Sequence, residues 1–454
     1  MPLSPLVLLL CVAGSFVSSA ITKSKSVVYS EWAADSAIRR GQGNGLGSNG
    51  QPTVSYEHGE LQWALRQLYE RSGNRTYFDY IKLGVDNVLL PNGTVGGGYR
   101  CVLVDLDSHS RPDSACVVQF SFNWTLCESA HLSSTCKPLI RYRGLVDLQT
   151  ARHDKTGDEK YKTAADQFHA QLMFNHSRTA EGQFWHKKIY PNQGWLDGVY
   201  MGDIFYATYV QKFQPKNITA WGKSLVLYDA EERDSSYSLD DIILQFKLMF
   251  EHTVQTVPVG NASSLGLLYH GYDYSHTAIW ASPDRGHSPE IWDRALGWYS
   301  MALVDALAII PKTHPGHETL LAYLNVLIPR IAAAADPDSG VWWLVLTQPA
   351  RALNYFESSG ASMYVYATLR AVRLGYVKDP GERLVATAKK AYEYMVDNWV
   401  VNNGDGTMGW LNTVVVGSLD TDGSFNVGVL LRLNDEMINS ILPTVLCEPT
   451  HRSE

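Results

Sequence analysis

Three things are scarce in this chain of 454 residues: strand-like alternation, cysteine, and apolar runs of membrane-spanning length. No segment after residue 20 offers the roughly 20 apolar residues that a spanning helix needs, which argues against a membrane-embedded body. Basic clusters are missing too, and a formal net charge of −8 argues against nucleic acid as a partner. Nor does a Pro/Ser linker, a low-complexity tract or a block of like charges divide the sequence. It therefore reads as one domain, although its length alone would allow about three. Cysteine is confined to Cys11 and then Cys101, Cys116, Cys127, Cys136 and Cys447. The later ones are odd in number and mostly crowded into one stretch, and no ligand-like histidine spacing accompanies them. They read as disulfides of open pairing, with no metal site.

What is plentiful is aromatic: 13 Trp, 25 Tyr and 13 Phe in a chain that is 45% hydrophobic. That composition supports a large core and suits a protein that handles flat or sugar-like ligands. The opening residues, MPLSPLVLLLCVAGSFVSSA, join an apolar run to small residues at Ser18 and Ala20. They read as a signal peptide (1–20) cleaved near Ala20, although the usual basic start is missing. A membrane anchor is the weaker reading, because the run is too short to span. N-x-S/T sequons at Asn74, Asn92, Asn123, Asn175, Asn217 and Asn261 fit a secreted, extracellular glycoprotein.

Helical periodicity dominates the rest. EHGELQWALRQLYERSG places Leu61, Leu65 and Leu68 on one stripe, and RALGWYSMALVDALAII (294–310) is apolar nearly all round, as an inner helix is. MYVYATLRAVRLGY and AKKAYEYMVDNWV continue the theme, while WWLVLT and TVVVGSL are the best strand candidates. LYERSGNRTYFDYI (68–81) and RHDKTGDEKYKTAA (152–165) share a polar turn at Gly73 or Gly157, followed by Tyr77 or Tyr161; residues 374–395 are a looser copy. Repeated helical hairpins in an undivided chain predict a solenoid or a closed α/α toroid, and closure leaves a central cavity.

One residue is out of place in that pattern. In QGWLDGVYMGDI (193–204), Asp197 shares a predicted helix face with Tyr200, Met201 and Ile204. A buried carboxylate without a partner is costly, so its presence needs a reason. From spacing alone it is either a helix N-cap or a carboxyl whose acid form desolvation favours, as a proton donor near neutral pH requires.

QGWLDGVYMGD (193–203), LLYHGYD (267–273), SPEIWDRALGWYSMALVD (288–305) and ESSGASMYVYATLRAVRLGY (357–376) bear a family resemblance in their order and spacing. They resemble the unsaturated rhamnogalacturonyl hydrolases of glycoside hydrolase family 105, the secreted fungal members above all. The resemblance covers residues 50–100 and 155–420. It implies an all-α (α/α)6 barrel over residues 21–454 that removes the terminal unsaturated galacturonic acid from lyase-cut rhamnogalacturonan, a pectin fragment. It also implies Asp197 as the catalytic residue, with Tyr56, His186, His270, Trp292, Arg294 and Trp298 on the substrate. Arg294 would grip the substrate carboxylate with both arms of its planar fork. Asp203, Asp273 and Asp293 read as caps or partners of site residues, and Glu357 as structural. Protonating an enol ether requires neither a metal nor an organic cofactor, and one carboxyl can serve as acid and then as base. The expected partner is the oligosaccharide alone, bound by a monomer.

Segments 101–152, 222–239 and 424–454 depart from the family pattern, as loops of this chain's own or as translated introns. Family members carry a second aspartate in a Leu-Asp-Ser-type motif; LDS at 106–108 offers Asp107 for that place, in an unfamiliar context. Two other readings stand beside the first. One is an unsaturated glucuronyl hydrolase acting on other lyase products; the other is a non-catalytic oligosaccharide-binding barrel that has lost the second aspartate.

Overall fold

Side chains that satisfy the first backbone N–H groups mark where helices begin. Ser55 accepts from His58 N at 3.4 Å, Asn74 from Thr76 N at 3.1 Å, Asp158 from Lys160 N at 3.1 Å and Glu357 from Gly360 N at 2.7 Å. In the computed structural model, which describes residues 28–53, 55–96, 157–214, 239–257 and 264–426, these caps open four of the helices. The leader, every cysteine, Asp107, the sequons at Asn123, Asn217 and Asn261, and nearly all of segments 101–152, 222–239 and 424–454 lie outside the described residues.

First along the chain come α1 (Tyr29–Arg39), α2 (Tyr56–Ser72), α3 (Arg75–Asp86) and α4 (Glu159–Phe174). Helix α5 runs from Leu196–Gly198 through a π turn at Val199–Asp203 into Ile204–Phe213. Then follow α6 (Leu239–Thr253), α7 (Asp293–Ile309), α8 (Pro315–Ala333), α9 (Ser358–Arg373) and α10 (Arg383–Trp399). The first echoed turn joins α2 to α3, while the arm before Gly157 in the second lies outside the described residues. Gly73 and Gly157 sit at φ +71° and +66°, in the left-handed region that glycine enters without penalty, just before the capped starts of α3 and α4.

Burial sorts these helices into two layers. Almost every residue of α7 is buried, and so is the first part of α9. Helix α7 lies between α5 and α9. Tyr200 of α5 donates to Glu60 of α2 at 2.9 Å, and the rings of Trp63 on α2 and Tyr366 on α9 meet edge to face at 5.7 Å. Helices α2, α5, α7 and α9 thus form the inner wall, while α6, α8 and α10 pack on one another outside it and α3 backs α2. This is the two-layered (α/α)6 arrangement. As expected, Leu61, Leu65 and Leu68 are buried, and so is nearly the whole of 294–307.

The two ends of the described chain are tied together. Strand β1 (Gln193–Trp195) pairs antiparallel with β2 (Gly271–Asp273), and β3 (Val400–Asn402) with β4 (Met408–Trp410). Met408 N donates to Ser36 Oγ at 2.8 Å, and Arg39 and Trp32 of α1 donate to the carbonyls of Asp405 and Gly406, both at 2.9 Å. The expected strands differ from these. Residues 342–347 hold only the isolated bridges Trp343↔Phe356 and Trp292↔Val345, and 413–419 contains no regular strand. Both are apolar because their residues are buried or half-buried, not because they pair. Among the described residues no helix is long and apolar enough to cross a membrane, and no group of three or more potential ligands could hold a metal ion.

Leu303 lies in the middle of α7 with none of its surface exposed. Leu303→Ala is expected to lower the unfolding free energy by about 2–5 kcal/mol, read as a lower denaturant midpoint at unchanged slope.

Candidate active site

The inner helices bring their first turns to one place. An open cavity of about 450 Å³ is lined by Tyr56, the first residue of α2, by Asp197 in the first turn of α5, and by Arg294 and Trp298 of α7. Trp292 just before α7, His186, Trp195 and Met201 complete most of the wall, with residues 416–418 closing one side. Of the seven residues expected to act on or touch the substrate, only His270 lies outside this wall; it lines an adjoining cavity and reaches back to Asp197.

That reach is set by backbone pairing. The register Gln193↔Asp273, Gly194↔Tyr272, Trp195↔Gly271 is extended by a bond from Leu196 N to His270 O at 3.0 Å. Asp197 and His270 therefore leave the same end of the two-stranded sheet. Asp197 Oδ2 and His270 Nε2 lie 3.2 Å apart, both turned inward, yet their alignment falls short of a hydrogen bond. His270 is 4% exposed and Asp197 21%, so the acid is reachable from the cavity while its neighbour is not. The N-cap position belongs to Trp195, so Asp197 does not cap α5.

The face expected for Asp197 is corrected by the π turn. Its wider winding shifts the register partway along the helix, and π turns of this kind recur at functional sites. Met201 stays beside Asp197 on the cavity wall, while Tyr200 turns to Glu60 of α2 and packs its ring at 4.7 Å from Trp298. A straight α-helix would have kept all of these on one face.

Aromatic rings enclose the site. His186 stacks on Trp195 at 4.0 Å and 9°, Tyr190 stacks nearby at 5.1 Å, and His270 meets the Trp195 edge at 5.2 Å. Burial first, then Lys187 and the other groups beside it, hold His186 well below the usual histidine range, which favours its neutral form. Trp292 lies against Gly417 so closely that a Cβ there would collide with the indole, which is why the wall carries glycine at that point. Trp298 is 2% exposed and largely core.

Arg294 differs from its expected role. Its Nε donates to Ser359 Oγ at 2.7 Å, and its Nη2 to Glu357 Oε1 at 3.3 Å and to the Val414 carbonyl. Nη1 reaches the Val415 carbonyl at 3.4 Å. The planar fork is thus already engaged by α9 and by the segment leading into the 416–418 wall. It cannot offer both arms to a ligand carboxylate without breaking these bonds. Glu357, wholly buried, also accepts from Val414 N at 3.0 Å, so it both caps α9 and fixes the wall. Burial, then Glu357 beside it, pushes the Asp293 carboxyl well above the usual range. Asp203, in the π turn, is pushed the same way by burial and Asp241. Asp273 organises its own loop by accepting from the backbone N of Ser275, Thr277 and Ala278 at 2.8, 2.9 and 2.7 Å.

Sequence reasoning gave no site role to Trp195, Met201 or residues 416–418. Trp195 had a signal, its place two residues before Asp197 in QGWLD, whereas 416–418 resembled a strand. Arg294→Ala is expected to destabilise the protein by about 3–5 kcal/mol, because it leaves the buried Glu357 carboxylate without its cation. A side chain that only touched ligand would leave the denaturation midpoint unmoved.

Comparison with known proteins places this geometry in a family. The Glycosyl Hydrolase Family 88 model matches residues 29–435. A family 105 glycoside hydrolase from C. acetobutylicum ATCC 824 superposes with a TM-score of 0.71 at 30% identity, covering 93% of this chain and 98% of that one. Protein Atu3128 of Agrobacterium fabrum is 43% identical over 120 residues, 26% of this chain and 49% of that protein. Unsaturated rhamnogalacturonyl hydrolase YesR of Bacillus subtilis is 25% identical over 214 residues, 46% of this chain and 52% of YesR. The chain thus spans about half the length of the curated relatives it matches. With nearly its whole described length matched by the family model, the chain belongs to the family 88/105 glycoside hydrolases.

Proposed function

We propose that this protein removes the terminal unsaturated galacturonic acid from lyase-generated rhamnogalacturonan oligosaccharides by adding water across the enol-ether double bond. The observation that carries the reading is the lone acid of the cavity. Among the described residues lining it, Asp197 is the only carboxyl group, and it sits among aromatic side chains facing His270. Ordinary glycosidases need two carboxyl groups flanking the scissile bond, whereas an enol ether needs one proton donor that later accepts a proton.

Asp197 gives its proton to C4 of the unsaturated ring, and positive charge develops on C5 and the ring oxygen. Water attacks C5 while the Asp197 carboxylate takes up a proton, which restores the acid. The hemiketal at C5 then opens to a ketone, and the hemiacetal left at C1 expels the next sugar as an alcohol; one water is consumed overall. Neutral His186 adds no charge against the cationic intermediate. Trp195 and His186, stacked on one another, form the cavity wall near Asp197. The likeness to YesR, an unsaturated rhamnogalacturonyl hydrolase, supports the substrate class.

Asp197→Asn should lower kcat by about 10²–10⁴-fold, followed through the ultraviolet absorbance of the double bond, while calorimetry still detects binding. Full activity in a folded Asn variant would sink the proposal. Binding without turnover by the unaltered protein would instead favour a non-catalytic sugar-binding barrel.

Export is a second part of this proposal. It is supported by the apolar leader and by the sequon asparagines Asn74, Asn92 and Asn175, all exposed. Protein recovered from the medium of a secretory host should begin near Ile21 and lose mass on enzymatic deglycosylation; retention in the cell with the leader intact would count against it.

A further inference from the structure

Helix α6 lies outside the inner wall, yet Asp241, Gln245, Met249 and Thr253 recur along it at every fourth position, and all four are buried. Residues at that spacing share one face of a helix. Asp and Gln are mostly surface residues, so their burial here calls for partners.

Each member of this stripe holds a segment that delivers part of the site. Asp241 takes both arms of Arg178, Nη1 at 2.6 Å and Nη2 at 2.7 Å. Gln245 Oε1 accepts from Gln183 Nε2 at 2.9 Å and from Phe184 N at 2.8 Å, while its Nε2 donates to Gly182 O at 3.0 Å. Arg178 and residues 182–184 flank one tight turn, closed by Thr179 N donating to Gln183 O at 2.8 Å, and His186 follows two residues after it. Met249 approaches Gly194 so closely that a Cβ there would lie 2.8 Å from its sulfur, so strand β1, which leads to Asp197, rests directly on the helix. Thr253 O accepts from Tyr269 N at 2.9 Å, one residue before His270. One rigid helix, rising about 1.5 Å per residue, therefore spaces the segments that carry His186, Asp197 and His270.

We infer that Asp241 and Gln245 are positioning residues for the proposed reaction, setting where His186 stands relative to Asp197. This rests on the hydrolase reading and deepens it. Neither residue lines either cavity, so both act through the turn they hold. The two-armed bond between Arg178 and Asp241 is charge-assisted and fixes direction as well as distance. His186 stacks on Trp195 at 4.0 Å, and both belong to the cavity wall, so a shift of the turn changes the shape of the wall beside Asp197. A displacement of about 1 Å from a change far from the chemistry can cost about 10²-fold in rate.

The test uses the full chain and an unsaturated rhamnogalacturonan disaccharide. Gln245→Met keeps the volume of the side chain and removes all its hydrogen bonds. Arg178→Lys keeps the charge but loses the fork. Gln245→Met should lower kcat/KM by about 10²-fold with KM raised, and Arg178→Lys should act in the same sense by about 10-fold. Loss of folded protein lowers the maximal rate and cannot move KM, so the rise in KM separates placement from stability. KM unchanged in folded samples of both variants overturns this inference alone, whatever rate is lost. Should Gln245→Met fail to fold, Arg178→Lys decides by the same reading. No turnover by the unaltered protein overturns the hydrolase reading, and the inference falls with it.

Discussion

The architecture hangs on one constraint: the inner helices α2, α5, α7 and α9 all begin at the same end of the barrel. Tyr56 opens α2, Asp197 lies in the first turn of α5, Arg294 in that of α7, and Ser359 in that of α9. Each helix start carries unpaired N–H groups and about half a positive charge. Converging them concentrates a field that suits an anionic ligand such as a uronate, without requiring a free cation at every contact. It also explains why buried carboxyl groups gather there. Glu357 accepts from Gly360 N, Ser359 and Val414 N, and Asp293 Oδ1 accepts from Arg294 N at 2.7 Å.

That arrangement separates the residues that hold the site from those to which the proposed reaction gives a part. Arg294 and Glu357 join α7, α9 and the segment entering the 416–418 wall, and Gly417 in that wall lies close against the Trp292 indole. Asp197 and His270 face one another without a well-formed hydrogen bond, and Asp197, the more exposed of the two, faces the cavity. A carboxyl tied down as Glu357 is could not give up and regain a proton without moving the wall. Asp197 is reachable and loosely partnered, which suits the acid-then-base part proposed for it.

Much of this was legible in the sequence. The 3.6-residue periodicity of 294–310 and the turn at Gly73 report local physics, and they proved to be the inner helix and the hairpin turn that were expected. The motifs around Asp197, His186, Trp292 and Arg294 fell together in space because the starts of inner helices converge. The π turn at Val199–Asp203 left no mark, since its winding depends on what packs against Tyr200 and Asp203 from other helices. The commitment of the Arg294 fork was equally hidden, because Val414 and Val415 contribute carbonyl oxygens, which every residue has. Residues 413–419 looked like a strand since an apolar wall and an apolar strand share a composition.

The central claim concerns which bond reacts: a carbon–carbon double bond hydrated by one acid, not a glycosidic bond displaced by two. The most direct measurement offers the purified protein two rhamnogalacturonan disaccharides that differ only in whether the terminal uronate carries that double bond, with reducing-sugar release followed for each. The account predicts release from the unsaturated compound and none from its saturated twin. Comparable release from both would contradict it.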